Sequence, residues 1–108
     1  MIRSMETQII EVRTGGRETI RDITGACAEF ARAASGGGDG LLPADERWRH
    51  AHGSRGHGRS HVLPAFVPPY ATVPVVGGRL ALGTWQSIAL VDLNVDNPDR
   101  RVRLSFLG

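Results

Sequence analysis

A glycine run, Ser35-Gly36-Gly37-Gly38-Asp39-Gly40, interrupts this 108-residue chain and ends its one clear helical period. Upstream, Ile20, Ile23, Cys27, Phe30, Ala31 and Ala34 recur at helical spacing, with Arg21, Asp22, Glu29 and Arg32 opposite. This predicts an amphipathic helix over about Glu18 to Ala34. Glycine's backbone freedom makes it costly to carry the helix through the run. Cys27 lies on the apolar stripe and reads as a buried small hydrophobe rather than a nucleophile.

Elsewhere the period is two. In Gln8-Ile9-Ile10-Glu11-Val12 an extended chain puts Ile10 and Val12 on one side and Ile9 on the other, a first strand. Met1 to Ser4 are expected to trail. Ala71-Thr72-Val73-Pro74-Val75 is extended, Val76-Gly77-Gly78-Arg79 carries hairpin-turn chemistry, and Leu80 to Leu82 returns. Pro74 cannot donate to a ladder and suits an edge or a bulge. Thr84 to Leu93 reads as a long strand buried on both faces, since Ile88 and Leu90 face one way and Ala89 and Val91 the other. Within that stretch Trp85 is expected to be buried. Val102, Leu104 and Phe106 alternate with Arg101, Arg103 and Ser105, a strand with one wet face. Arg100, Arg101 and Arg103 then read as a solvated face, with an anion site as the lesser alternative. One domain over residues 1–108 follows, of α+β class: antiparallel sheets with one main amphipathic helix.

The composition excludes several functions. The most hydrophobic region, Val62 to Val76, is cut by Pro64, Pro68, Pro69 and Pro74, so no membrane span is expected. A single cysteine rules out an internal disulfide and a multi-cysteine zinc framework. Met1-Ile2-Arg3-Ser4-Met5-Glu6 has no apolar run leading to a cleavage site, and the expected setting is cytoplasmic. All 13 basic residues are Arg, but they are spread among 11 acids, leaving a net charge of +2. A nucleic-acid surface needs clustered cations beside a stacking platform, and this chain shows neither pattern.

The least random feature is the segment Trp48 to His61, which holds all four histidines. In an extended stretch His50 and His52 point to one face, and on a helical turn His57 and His61 do so. Each pair suits a borderline ion such as Zn²⁺. Neutral imidazole also titrates near neutrality and can serve as general acid or base. The spacing is not a zinc signature, and a glycine-rich surface loop with solvated histidines is the competing reading.

Several motifs now combine: Trp48-Arg49-His50, His61 followed by an apolar segment, Thr72-Val73-Pro74-Val75, Gly78-Arg79-Leu80, and Leu82-Gly83-Thr84-Trp85-Gln86 before a strand ending in Asp92. In order and spacing they resemble the YjbQ-like protein family, to which secondary thiamine-phosphate synthase activity is ascribed. The C-terminal half is similar closely, the N-terminal strand and helix in pattern only. The resemblance implies an α+β fold, a homotrimer, and a pocket of histidines and an acid that holds a divalent metal or an anion, including a small phosphorylated ligand. Carried over by motif, His50, His61 and Asp92 are the catalytic candidates. Thr84, Trp85 and Gln86 are the candidates for binding a cofactor or ligand, and His50, His57 and His61 those for a metal.

The chain departs from that family pattern in one place. Family members follow the glycine-rich helix exit with a strand, a further histidine, an acidic element and a helix, whereas here Asp39-Gly40-Leu41 runs straight into Leu42-Pro43-Ala44-Asp45-Glu46. A segment on the order of thirty residues, the length of two strands and a helix, is expected to be absent near 41–42. Its loss would open a sheet edge and remove a site histidine. Two functions follow: a YjbQ-like enzyme with a histidine-cluster site, or a non-catalytic, truncated oligomeric scaffold of the same family.

Overall fold

The computed structural model describes residues 5–13, 19–47, 70–92 and 99–108. Its strands are β1 (Met5–Arg13), β2 (Thr19–Asp22), β3 (Gly40–Arg47), β4 (Tyr70–Val76), β5 (Arg79–Leu80), β6 (Ala89–Asp92) and β7 (Asp99–Leu107), and its helix α1 is Thr24–Ser35. A five-stranded antiparallel sheet runs β1-β7-β3-β4-β5, and β2 pairs with β6 in a separate two-stranded sheet. The α+β class read from the sequence is the class observed. No helix among the described residues is long and apolar enough to cross a membrane.

Helix α1 buries Ile23 at its entry and then Cys27, Phe30 and Ala31, spacings of four, three and one that form a single stripe. That stripe packs with Leu42, Ala44, Val73, Val75, Val102, Leu104 and Phe106, the inward-facing residues of β3, β4 and β7. The helix ends where the glycines begin, with Gly36 at φ 60° and Gly37 at φ 89° in the left-handed region. Its start is a correction: Thr19–Asp22 is strand β2, not the first turn of the helix, and Ile20 is exposed. The reason is tertiary, because Ile20 sits opposite Val91 of β6. The chain then turns at Asp22, whose Oδ1 accepts the Thr24 N–H at 2.8 Å, while Ile23 N–H donates to the Ile88 carbonyl at 2.8 Å.

The β4–β5 connection is the expected hairpin, with Gly77 and Gly78 at φ 58° and 79°, the pair of positive values that a tight two-residue turn requires. Strand β7 also alternates as expected, burying Val102, Leu104 and Phe106.

Three expectations fail over Thr84 to Asp92. The long strand over Thr84 to Leu93 shortens to β6, preceded by a turn in which Gly83 N–H donates to Gln86 Oε1 (2.7 Å) and Gln86 N–H to the Gly83 carbonyl (3.0 Å). Trp85 stands on that turn 96% exposed instead of buried, and Ala89 is exposed as well, so β6 has one wet face. Gly40–Arg47 is itself a strand and lies between β7 and β4. Leu42 and Ala44 supply its two buried positions. Pro43 has no N–H to give, and the register with β7 reads Leu41↔Leu107 and then Ala44↔Leu104. A strand flanked on both sides can form from an unpromising sequence because both neighbours offer it backbone partners.

Candidate functional site

The sheet register decides which chain ends meet. Arg13 pairs with Asp99, Arg47 with Arg101, and Tyr70 with Asp45, so β1 and β3 end where β4 and β7 begin. The connection from β3 to β4 carries His50, His52, His57 and His61, all outside the described residues. It leaves the sheet at Arg47 and rejoins it at Tyr70, both at this end. Asp92 closes β6 with its backbone opposite Thr19, and Asp99 opens β7 a few residues later.

At this end of the sheet lies a charge on the face opposite to the one its residue type suggests. Arg100 is 2% exposed, on the buried face with Val102 and Leu104 rather than in solvent, and its Nη1 is 3.3 Å from Glu46 Oε1. The alternation contains the signal, because Arg100 has the same parity as Val102, but its charge argues for solvent. Arg101 and Arg103 do lie on the other face, and each has an acid: Arg101 with Glu11 at 3.7 Å, Arg103 with Asp45 at 3.0 Å. The basic run of β7 is thus matched by three carboxylates on neighbouring strands. Among the described residues no group of three or more His, Cys, Asp or Glu side chains converges. A metal centre would need the histidines of the β3–β4 connection.

Cys27 is fully buried, and burial, reinforced by the negative charge of Asp22, pushes its thiol up to about 11. It stays protonated near neutrality and is no nucleophile. Asp22 is held below the ordinary 3.8 by hydrogen bonds from Thr24.

On the far side of α1 from its packed stripe is a cleft of about 760 Å³ between the helix and the chain from the β4–β5 hairpin to Gln86. Gln86 is the one member of the Thr84, Trp85, Gln86 set that lines it. Arg32 and Arg79 line it too, although by sequence the first belongs to the polar face of the helix and the second to a turn.

The family model described as "UPF0047 protein YjbQ-like" matches residues 38–108, which is more than half of the chain. The chain belongs to the UPF0047 YjbQ-like family. A UPF0047 protein of Mycobacterium tuberculosis H37Rv is 72% identical over 67 residues, 62% of this chain and 50% of that protein. One from Methanothermobacter thermautotrophicus is 37% identical over 71 residues, 65% of this chain and 48% of that one. The chain thus spans about half the length of the curated family relatives it matches. A crystal structure described as a YbjQ-like protein of unknown function from Sulfolobus solfataricus P2 superposes with TM-score 0.82 at 21% identity, covering 99% of both chains. A hypothetical protein from Aeropyrum pernix K1 gives 0.75 at 27% identity, over 95% of this chain and 98% of that one. The family motifs at Gly78-Arg79-Leu80 and Gly83-Thr84-Trp85-Gln86 fall inside the matched region, and β1, β2 and α1 precede it.

Proposed function

We propose that this YjbQ-like protein binds a divalent metal or a small phosphorylated ligand through His50, His57 and His61, with Asp92 as the acid of the site. The supporting observation is topological. The connection that carries the histidines is tied at both ends to the sheet, at the same end as the buried Arg100–Glu46 pair. Imidazole nitrogens suit Zn²⁺ and can also move a proton at neutral pH. With so few protein ligands the metal is held weakly, far below a structural zinc site. In the enzymatic form of this reading the site turns over a phosphate ester or forms thiamine phosphate in the cytoplasm. Calorimetric titration with Zn²⁺ tests the binding: the wild-type protein gives a weak isotherm that the His50→Ala, His61→Ala variant loses, and identical isotherms overturn it.

A second reading is a non-catalytic, oligomeric scaffold that lacks an internal segment near 41–42, and an exposed apolar row on the sheet favours it. Met5, Leu107, Leu41 and Pro74 stand in one register row across β1, β7, β3 and β4, on the sheet face away from α1. An apolar row of this kind supports assembly, here as a homotrimer. Sedimentation giving a trimer without turnover favours the scaffold, and metal-dependent turnover favours the enzyme.

A further inference from the structure

We propose that the cleft along α1 binds an organic phosphate with an apolar or aromatic body, without help from the histidines. Three segments build it: α1 through Ala28, Glu29 and Arg32, the β4–β5 hairpin through Arg79, and the following chain through Leu80, Leu82 and Gln86. Its floor is apolar, from Ala28, Leu80 and Leu82. Its charge is set by two guanidiniums against the Glu29 carboxylate, a net +1 among the lining side chains. Neither Arg32 nor Arg79 has a carboxylate partner among the described residues, in contrast to Arg100, Arg101 and Arg103. An arginine left without an acid beside an apolar floor is a ready partner for a phosphate, which it can meet with two parallel N–H donors.

The walls are held in place before any ligand arrives. At one end Gly77 N–H donates to Asp39 Oδ1 (2.7 Å) and Gly78 N–H to the Gly38 carbonyl (2.9 Å), locking the hairpin to the helix exit. A Cβ at Gly78 would come to 3.0 Å from Gly37 Cα, so glycine is what lets the two segments approach. At the other end Ile88 N–H donates to Thr24 Oγ1 (2.8 Å), and the Gly83–Gln86 ring fixes the turn between. A preformed cleft loses little entropy on binding. Arg32 lies in the last turn of α1 and also opposes the partial negative charge of the helix C-terminus. Arg79 has no such second role, so its removal is the cleaner test.

Calorimetry with phenyl phosphate, inorganic phosphate and phenol as separate probes tests the site. Phenyl phosphate is expected to bind more tightly than either fragment, and Arg79→Ala or Arg32→Ala to weaken it roughly tenfold each, the loss of one charge-assisted contact. Leu82→Asp, which puts an acid on the floor, should abolish it. The His50→Ala, His61→Ala variant should keep the phenyl phosphate isotherm that Arg79→Ala weakens, and loss of that isotherm in the histidine variant with both arginine variants unaffected would assign phenyl phosphate to the histidines and overturn this proposal. Retained affinity in both arginine variants, or no binding by the wild-type protein, overturns the proposal. Circular dichroism of each variant, matched to the wild type, establishes that a lost isotherm is a lost site.

Discussion

Arg103 and Asp45 face each other across the β3–β7 ladder and are joined by two hydrogen bonds of 3.0 Å, Nε to Oδ1 and Nη2 to Oδ2. The bidentate geometry pins the register of a strand that Pro43 weakens, since a one-residue slip would carry Asp45 to the other face. The pair is partly exposed, at 39% and 30% of the side chains. A double-mutant cycle with Arg103→Ala and Asp45→Ala should give a coupling of about 0.5–1 kcal/mol, falling with added salt. Urea unfolding measures it, and zero coupling at low salt would show that the pair follows the register without enforcing it.

The buried pair behaves differently. Arg100 is 2% exposed and Glu46 16% at the side chain. Replacing Glu46 by Leu leaves the guanidinium buried and should cost about 3 kcal/mol, whereas Arg100→Met removes the charge, keeps most of the volume and should cost less. Equal losses for the two variants in chemical denaturation would show that burial of Arg100 carries no electrostatic cost.

Two glycines should respond in opposite ways. A Cβ at Gly40 would collide with the Leu107 carbonyl and the Phe106 ring, and Gly40→Ala should destabilise by roughly 2 to 3 kcal/mol. Gly25 lies in the first turn of α1, where an added Cβ would meet nothing within 4 Å, and Gly25→Ala should stabilise by about 0.5 kcal/mol. Thermal melts of the two variants read this directly.

Stability should vary with pH at both extremes. The unfolded Cys27 thiol ionises near 9.0 and the native one near 11, so the native state keeps a proton that the unfolded chain gives up. Its contribution is complete below pH 9 and is lost as pH rises through 11, and thiol reagents should label Cys27 only on unfolding. Asp22 works in the other direction. Its native value lies below 3.8, so its contribution is complete above that value and lost as pH falls through the native one. Asp22→Ala should lower the melting temperature at neutral pH, with the gap closing in acid; a gap that persists in acid would assign the effect to packing.

What the sequence determined by itself was whatever depends on local period and backbone chemistry. The stripe Ile23, Cys27, Phe30 and Ala31, the glycine stop after Ser35, the Gly77-Gly78 hairpin and the inward Val102, Leu104 and Phe106 were legible because spacing and positive φ are written in residue type. The family was legible from Gly83-Thr84-Trp85-Gln86 and its neighbours. The tertiary structure decided the features in which a distant partner outweighs local preference. Ile20 fits a helical stripe as well as a strand, and β6 made it a strand. Nothing local marks Leu42-Pro43-Ala44 as a strand, and the backbone groups of β4 and β7 made it an interior one. Trp85 reads as core, and the ring between Gly83 and Gln86 turned it out to solvent. Arg100 reads as surface, and the pleat of β7, with Glu46 beside it, took it inside. In each case the local difference between alternatives is small, and one satisfied strand or one paired charge is enough to reverse it.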